Sequence, residues 1–267
     1  MNSLELFKTQ KFYQIDISIL KDLGYDVLLS NRIFDSLLFW KYDILFSYFY
    51  RYSFFAALLA KCFGKKTYFT GGIDSLDSDY ASAFNYKIQA LFFKLCYWVA
   101  DSCIIVSQSD LKNIFKVSSL KKKLSYSEHV INTKLFIADV PKEKIFTSIV
   151  WMGDEGNVVR KGVDKALQIF AELKKIPEFV DYRFVIIGRK GEGEVLVRSI
   201  IDKYNLKGSV ELKGEVSEED KINLLKQSKY YFQLSLYEGF GLAALEALCA
   251  NTVSYTHLRA HETRSNL

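Results

Sequence analysis

Proline and cysteine are both scarce in this sequence, and each scarcity removes a class of protein. Two prolines in 267 residues leave no proline-rich linker or polyproline segment. Four cysteines, Cys62, Cys96, Cys103 and Cys249, form no C-x-x-C pair, so neither a disulfide framework nor a zinc ribbon is indicated. The start of the chain lacks the succession of basic region, apolar run and cleavage site that marks a secretory signal, and a reducing cytoplasm is the expected setting. Long apolar runs are missing too. The most apolar window, Ile44 to Ala60, is broken by Arg51 and several tyrosines and falls short of the ~20 apolar residues of a membrane span. It reads as a buried strand followed by a helix. No internal repeat or low-complexity tract is present.

Charge of one sign is not in large excess. The net charge is +5, and no nucleic-acid partner is expected. The surplus is uneven, however: residues 1–145 hold 19 Lys+Arg against 14 Asp+Glu, and residues 146–251 hold 15 against 16. A basic first half rich in aromatics leaves open a peripheral contact with the inner face of a membrane. The run Lys121-Lys122-Lys123 reads most simply as a solvated loop, and the aromatic run from Tyr48 to Phe55 as core plus rim.

The last sixteen residues break with everything before them. Val253 to Thr263 resembles a translated sequencing-library adapter, so residues 252–267 are expected to be a non-native tail and the native chain to run out near Asn251 or Thr252. His257 and His261 would share a helix face like a metal-binding pair, but on this reading they carry no function. His129 is then the one native histidine, and no metal is expected.

What remains is a chain with 49% hydrophobic residues, ample for a core. Short β-rich runs alternate with longer amphipathic stretches, the pattern of parallel sheets covered by helices. Strands are expected at 26–30, 43–48, 66–70 and 102–107, and then at 145–152, 182–188, 209–213 and 230–235. Helices are expected at 54–63, 86–99, 161–175, 194–204 and 218–227. The fold class is therefore α/β, with two Rossmann-like domains, 1–140 and 145–251, divided near Asp139–Lys144 and facing a cleft. The second domain is expected to be incomplete. Open parallel sheets bind ligands at the carboxyl ends of their strands.

The densest signal is YEGFGLAALEALCAN, Tyr237 to Asn251. An apolar strand runs into a glycine-bearing turn and then an Ala/Leu-rich helix. Gly239 and Gly241 allow a sharp turn and close approach to a ligand, and the positive end of the helix suits a phosphate or diphosphate. Glu238 stands at the mouth, with Glu246 about two turns later; each carboxylate can accept two sugar hydroxyls. On spacing alone, a strand–turn–helix with solvated glutamates remains an equal alternative.

The residue pattern resembles the group 1 (family 4) glycosyltransferases, whose signature is E-G-F-G-L with a second Glu seven intervening residues after the first. Glu238 and Glu246 fit that E-x7-E. The likeness extends to IVWMGDEGNVVRKGVDKALQIFAELKK, Ile149 to Lys175, with Lys161 at the family's diphosphate-binding lysine and Arg160 beside it. FVIIGRKGEGE, Phe184 to Glu194, contributes Gly188, and VELKGEVSEEDK, from Val210, contributes Val216. Weaker likeness in VADSCIIVSQSDLKNIF and HVINTKLF carries the resemblance back into the first half.

The resemblance implies a GT-B type fold and transfer of a sugar from a nucleoside-diphosphate sugar to an acceptor hydroxyl with retention, in glycan or glycoconjugate synthesis. Lys161, Arg160 and Glu238 would be catalytic. Gly239, Phe240, Gly241, Leu242, Glu246, Gly188 and Val216 would bind the donor. Gly71, Gly72 and Asp74, just after a first-half strand, would border the acceptor, either a glycan or a lipid-linked one; a capped turn into the next helix explains them equally well. No cofactor beyond the donor is implied. One departure stands out: the family usually has arginine after the glycine equivalent to Gly153, and this chain has Asp154. Asp77-Ser78-Asp79 is a D-x-D, used by glycosyltransferases of a different fold to hold manganese, but the two-unit pattern with E-x7-E points elsewhere. A nucleotide-sugar 2-epimerase and a non-catalytic sugar-nucleotide binder are the alternatives.

Overall fold

A computed structural model of the chain describes residues 4, 7–8, 11–71, 76, 81–117, 121–137, 139–238 and 240–256. The chain divides into two compact units, Met1–Val130 and Ile131–Leu267. Each is built on its own parallel sheet.

The second unit is the more regular. Its strands are β5 (Glu143–Ile149), β6 (Arg183–Ile187), β7 (Val210–Gly214), β8 (Ser228–Gln233) and β9 (Val253–Thr256), in spatial order β7-β6-β5-β8-β9, all parallel. Parallel strands need crossover helices; these are α5 (Glu155–Arg160), α6 (Val163–Leu173), α7 (Glu194–Lys203), α8 (Glu218–Gln227) and α9 (Leu242–Cys249). Alternation along β5 sends Phe146 to one face and Ile145 to the other. Phe146 packs on Phe232, with ring centroids 4.8 Å apart, and joins Leu167 and Phe170 of α6 and Val197 of α7 in one cluster. Ile145 meets Val185, Ile187 and Leu224 of α8 on the opposite face. Both faces are thus covered, and each large apolar side chain sealed in this way contributes ~1.5–3 kcal/mol. The polar residues of β5 are satisfied within the sheet: Thr147 Oγ1 lies 2.5 Å from Ser228 Oγ, and Ser148 Oγ donates to Phe232 O at 2.7 Å.

The first unit has four parallel strands in sequence order, β1 (Ile44–Tyr48), β2 (Lys66–Thr70), β3 (Ser102–Ile105) and β4 (Leu124–Tyr126). Its helices are α1 (Lys11–Asp22), α2 (Tyr50–Cys62), α3 (Ala83–Val99) and α4 (Gln108–Val117). Tyr50 and Phe54 of α2, Phe69 of β2, Phe93 and Cys96 of α3 and Cys103 of β3 form the core. The apolar window that starts at Ile44 is β1 followed by α2, and no described helix is long and apolar enough to cross a membrane.

Three features differ from the sequence expectation. Residues 26–30 form no strand; Leu28 is 70% exposed and the segment finds no ladder partner among the described residues. The two units part at Val130/Ile131 rather than within 139–144, because Phe136, 1% exposed, packs with Tyr231 and Ala247 of the second unit. The second sheet also continues past Thr252: Val253 to Thr256 pair with Tyr230 to Gln233 in regular register as β9. His257 and His261 lie outside the described residues.

Candidate functional site

In the second sheet the chain starts in the middle strand, β5, builds outward through β6 and β7, and then returns to the other side of β5 with β8. The direction of winding reverses between β5 and β8. Loops leaving the carboxyl ends of those two strands must diverge, which opens a crevice at that point. The loop after β5 leads through α5 to Lys161, and the loop after β8 carries Tyr237 to Gly241. Topology alone therefore brings together residues 77 positions apart.

The contact is a direct one. Lys161 Nζ lies 2.7 and 3.0 Å from the two Glu238 carboxylate oxygens, and Ser235 Oγ donates to Glu238 Oε2 at 3.1 Å. Both partners are largely buried, so the pair is less screened than a surface pair and is held in one geometry. Main-chain bonding anchors it: Leu236 N donates to Arg160 O at 2.8 Å. Gly162 makes the approach possible. Its φ is +67°, and a Cβ there would stand 2.0 Å from Leu234 O, so no larger residue fits without displacing backbone. Arg160 turns its guanidinium to Asn157 Oδ1, at 2.6 Å from Nη2, and reaches Tyr237 O at 3.5 Å.

Asp154 takes a structural role. It is the N-cap of α5, with Oδ1 accepting from Asn157 N at 2.7 Å. An acidic cap satisfies an otherwise unpaired helix N–H and suits the positive helix end. Asp154, Asn157 and Arg160 thus form one hydrogen-bonded run along α5.

Glu246 sits in α9, 4% exposed, with both carboxylate oxygens within 2.7–2.9 Å of Lys221 Nζ. Lys221, in the first turn of α8, also pairs with Glu218 at 3.0 Å. Sequence reading did not single out Lys221, because SEEDK looks like a solvated helix face. The available signal was its position: a cation in the first turn opposes the helix dipole and needs a compensating partner. Beneath the site, Tyr231 is buried and its hydroxyl donates to Gln233 Oε1 at 3.0 Å. Burial, together with the Glu238 charge, pushes this phenol far above its ordinary range.

The remaining sequence candidates fall as follows. Gly241 is the N-cap of α9 and Leu242 its first residue, with Phe240 half-buried before them. Gly188 closes β6, its N–H donating to Gly214 O at 2.8 Å. Val216 packs against the Ile145–Leu224 cluster, so its side chain is a core contact. Gly71 follows β2 directly, next to Phe49. Gly72, Asp74, Gly239 and the D-x-D at Asp77–Asp79 lie outside the described residues. Among the described residues, no group of three or more His, Cys, Asp or Glu side chains is arranged to hold a metal ion.

Two parallel-sheet units, one with a largely buried ion pair at its switch point, define an α/β protein with the fold of the GT-B glycosyltransferases. The Anabaena protein Alr3699/HepE in complex with UDP-glucose superimposes with a TM-score of 0.69 at 13% identity, covering 90% of this chain and 69% of that one. Sucrose-phosphate synthase from Thermosynechococcus elongatus gives 0.64 at 18% identity, covering 81% and 56%.

More particularly, the model of the glycosyl transferases group 1 family matches residues 156–255, within the second unit. The GDP-mannose:cellobiosyl-diphosphopolyprenol alpha-mannosyltransferase of Xanthomonas oryzae pv. oryzae is 34% identical over 97 residues, 36% of this chain and 25% of that enzyme. Its counterpart from Xanthomonas campestris is 32% identical over 97 residues, again 36% of this chain and 25% of that enzyme. The matched segment thus spans about a quarter of these curated relatives' length.

Proposed function

We propose that the protein is a retaining glycosyltransferase that uses a nucleoside-diphosphate sugar, with the donor held at the β5/β8 crevice of the second unit and the acceptor hydroxyl presented by the first. The observation that carries this reading is the Lys161–Glu238 pair, 2.7 Å apart at the switch point of the sheet, within the segment that the group 1 glycosyltransferase model matches. In transfer, the bond from the anomeric carbon to the donor phosphate breaks and the bond to the acceptor oxygen forms on the same face. The acceptor proton leaves on the departing phosphate oxygen. Negative charge builds on the diphosphate, so catalysis requires cations and oriented N–H groups placed there in advance.

Lys161 supplies the ammonium, with Arg160 beside it and the N-terminus of α9 adding its dipole. Donor binding draws Lys161 from Glu238 to the diphosphate and frees Glu238 for the sugar hydroxyls; Glu246 orients the ribose. Neither step calls on a metal. A lipid-linked acceptor accords with the polyprenol-linked substrate in the name of the bacterial relatives, and the setting is the cytoplasm or the inner face of a membrane.

The test is transfer from a panel of labelled sugar nucleotides to lipid-linked and free glycan acceptors. Lys161→Ala is expected to lower turnover more than tenfold, ~1.4 kcal/mol or more of transition-state stabilisation, with Lys161→Arg retaining part of it. Undiminished turnover in Lys161→Ala removes the leaving-group role. Donor binding without transfer points to a binder, and epimerised donor without acceptor points to an epimerase.

A further inference from the structure

The outer face of α3 carries a stripe that the transferase reading does not use. Phe84, Leu91 and Trp98 are 70%, 55% and 72% exposed. Successive members are seven residues apart, within about 20° of two full helical turns, so they line up along one face. Lys87 and Lys94 are exposed between them, giving an alternation of large apolar and basic side chains about 21 Å long at 1.5 Å per residue. Neither α3 nor its neighbour α2 contains an aspartate or glutamate. Neither Lys87 nor Lys94 enters an ion pair among the described residues.

The stripe cannot turn inward, because the opposite face of α3 is already used. Phe93 packs on Tyr50 with ring centroids 5.2 Å apart, Phe92 meets Phe54 at 6.0 Å, and Cys96 Sγ donates to Tyr50 O at 3.2 Å. α2 adds exposed Tyr52 beside Arg51. A second basic element lands at the Trp98 end. Lys123 Nζ donates to the carbonyls of Tyr97 and Trp98 at 3.2 and 3.0 Å, which ties the Lys121–Lys123 run to the C-terminus of α3 and leaves Lys121 and Lys122 exposed. Favourable for the helix end, this also gathers further positive charge around an exposed indole.

Exposed aromatic and aliphatic side chains interleaved with lysines and free of acids fit the boundary between acyl chains and anionic head groups. Trp and Phe enter the interface, while the lysine stems lie along it with their ammonium groups in the head-group layer. We propose that the α3 stripe docks this protein on an anionic lipid surface. The charge is complementary: exposed lysines flank the apolar residues along α3, and neither α3 nor α2 contributes an acid to repel anionic head groups.

The experiment is co-sedimentation of the chain, without donor or acceptor, with vesicles of phosphatidylcholine alone and of equal parts phosphatidylcholine and phosphatidylglycerol. Because no sugar nucleotide is present, its outcome is independent of the transferase reading. Binding is expected to the anionic vesicles only, and to fall as salt rises from about 0.1 M to about 1 M, where the screening length shrinks from ~10 Å to ~3 Å. Lys87→Glu with Lys94→Glu should weaken it by more than about tenfold, given the usual contribution of each basic residue at such a surface. Leu91→Ser with Trp98→Ser should weaken it several-fold with the charge retained, while Lys207→Glu in the second unit leaves it unchanged. Circular dichroism verifies that each variant is folded. Equal binding to both vesicle types, or unaltered binding by the doubly reversed variant, overturns the proposal. So does a concentration-dependent dimer abolished by Leu91→Ser, which would assign the stripe to a second copy of the chain.

Discussion

The two units share a parallel α/β plan and differ in where their charged and strained residues lie. In the second unit the largely buried ion pairs and a crowded glycine lie toward the carboxyl edge of the sheet: Lys161 with Glu238, Lys221 with Glu246, and Gly162 pressed on Leu234. The first unit places two residues of unusual backbone, Phe49 at φ +63° and Gly71 at +109°, at the equivalent edge, while Arg51, Lys87 and Lys94 are exposed on α2 and α3. The same architecture thus supports two kinds of surface. Where the winding reverses, an edge becomes a polar crevice; where strands follow in sequence order, no switch point forms among the described strands.

The largest effect expected from disturbing this contrast is at the glycines. Gly162→Ala adds a Cβ 2.0 Å from Leu234 O in a left-handed conformation, and should destabilise the second unit by about 3 kcal/mol or more. Gly71→Ala, whose Cβ would lie 3.3 Å from Phe49 N, should cost the first unit about 1–2 kcal/mol. Hydrogen exchange resolved by unit measures both; equal losses would erase the distinction.

Next comes Lys221→Ala, which removes the ammonium facing the buried Glu246 carboxylate. A buried pair broken on one side loses about 3 kcal/mol, whereas replacing both partners with apolar residues of similar size is far milder. Lys221→Met with Glu246→Leu should therefore recover most of the stability in urea unfolding, but not donor affinity.

The smallest effect is acid sensitivity in the first unit. Burial of Asp101 opposes its ionisation, but bonds from Lys61, at 2.8 Å, and from Thr67 N, also at 2.8 Å, outweigh it and hold the carboxyl below its ordinary 3.8. A carboxylate with a depressed folded value contributes stability that is fully present above the unfolded value and is lost as pH falls through the folded one. First-unit stability should thus decline below about pH 4, and Asp101→Asn should flatten that decline in pH-dependent urea melts.

How much of this was legible in the sequence follows the same division. Strands β5 to β8 of the second unit came through within a few residues, because their apolar runs are continuous and bounded by glycine or charge; α5 and β9 did not. Lys161 and Glu238 were legible as a motif pair; that they touch is a consequence of strand order, which no local pattern encodes. Lys221 and the capping role of Asp154 were missed because each looks locally like a solvated charge. In the first unit, residues 26–30 had the composition of a strand, and only the missing ladder partner decides against it. The α3 stripe escaped notice because the run reads as uniformly apolar until burial separates Phe93 and Cys96 from Leu91 and Trp98.

The central claim, that the β5/β8 edge of the second unit is the donor site, is tested most directly by hydrogen exchange with and without a saturating sugar nucleotide. Added protection should be confined to the loop and helix from Val150 to Gly162 and to the segment from Leu234 to Glu246, and should vanish in Lys161→Ala. Donor-dependent protection elsewhere in the chain, with these two segments unchanged, would contradict it.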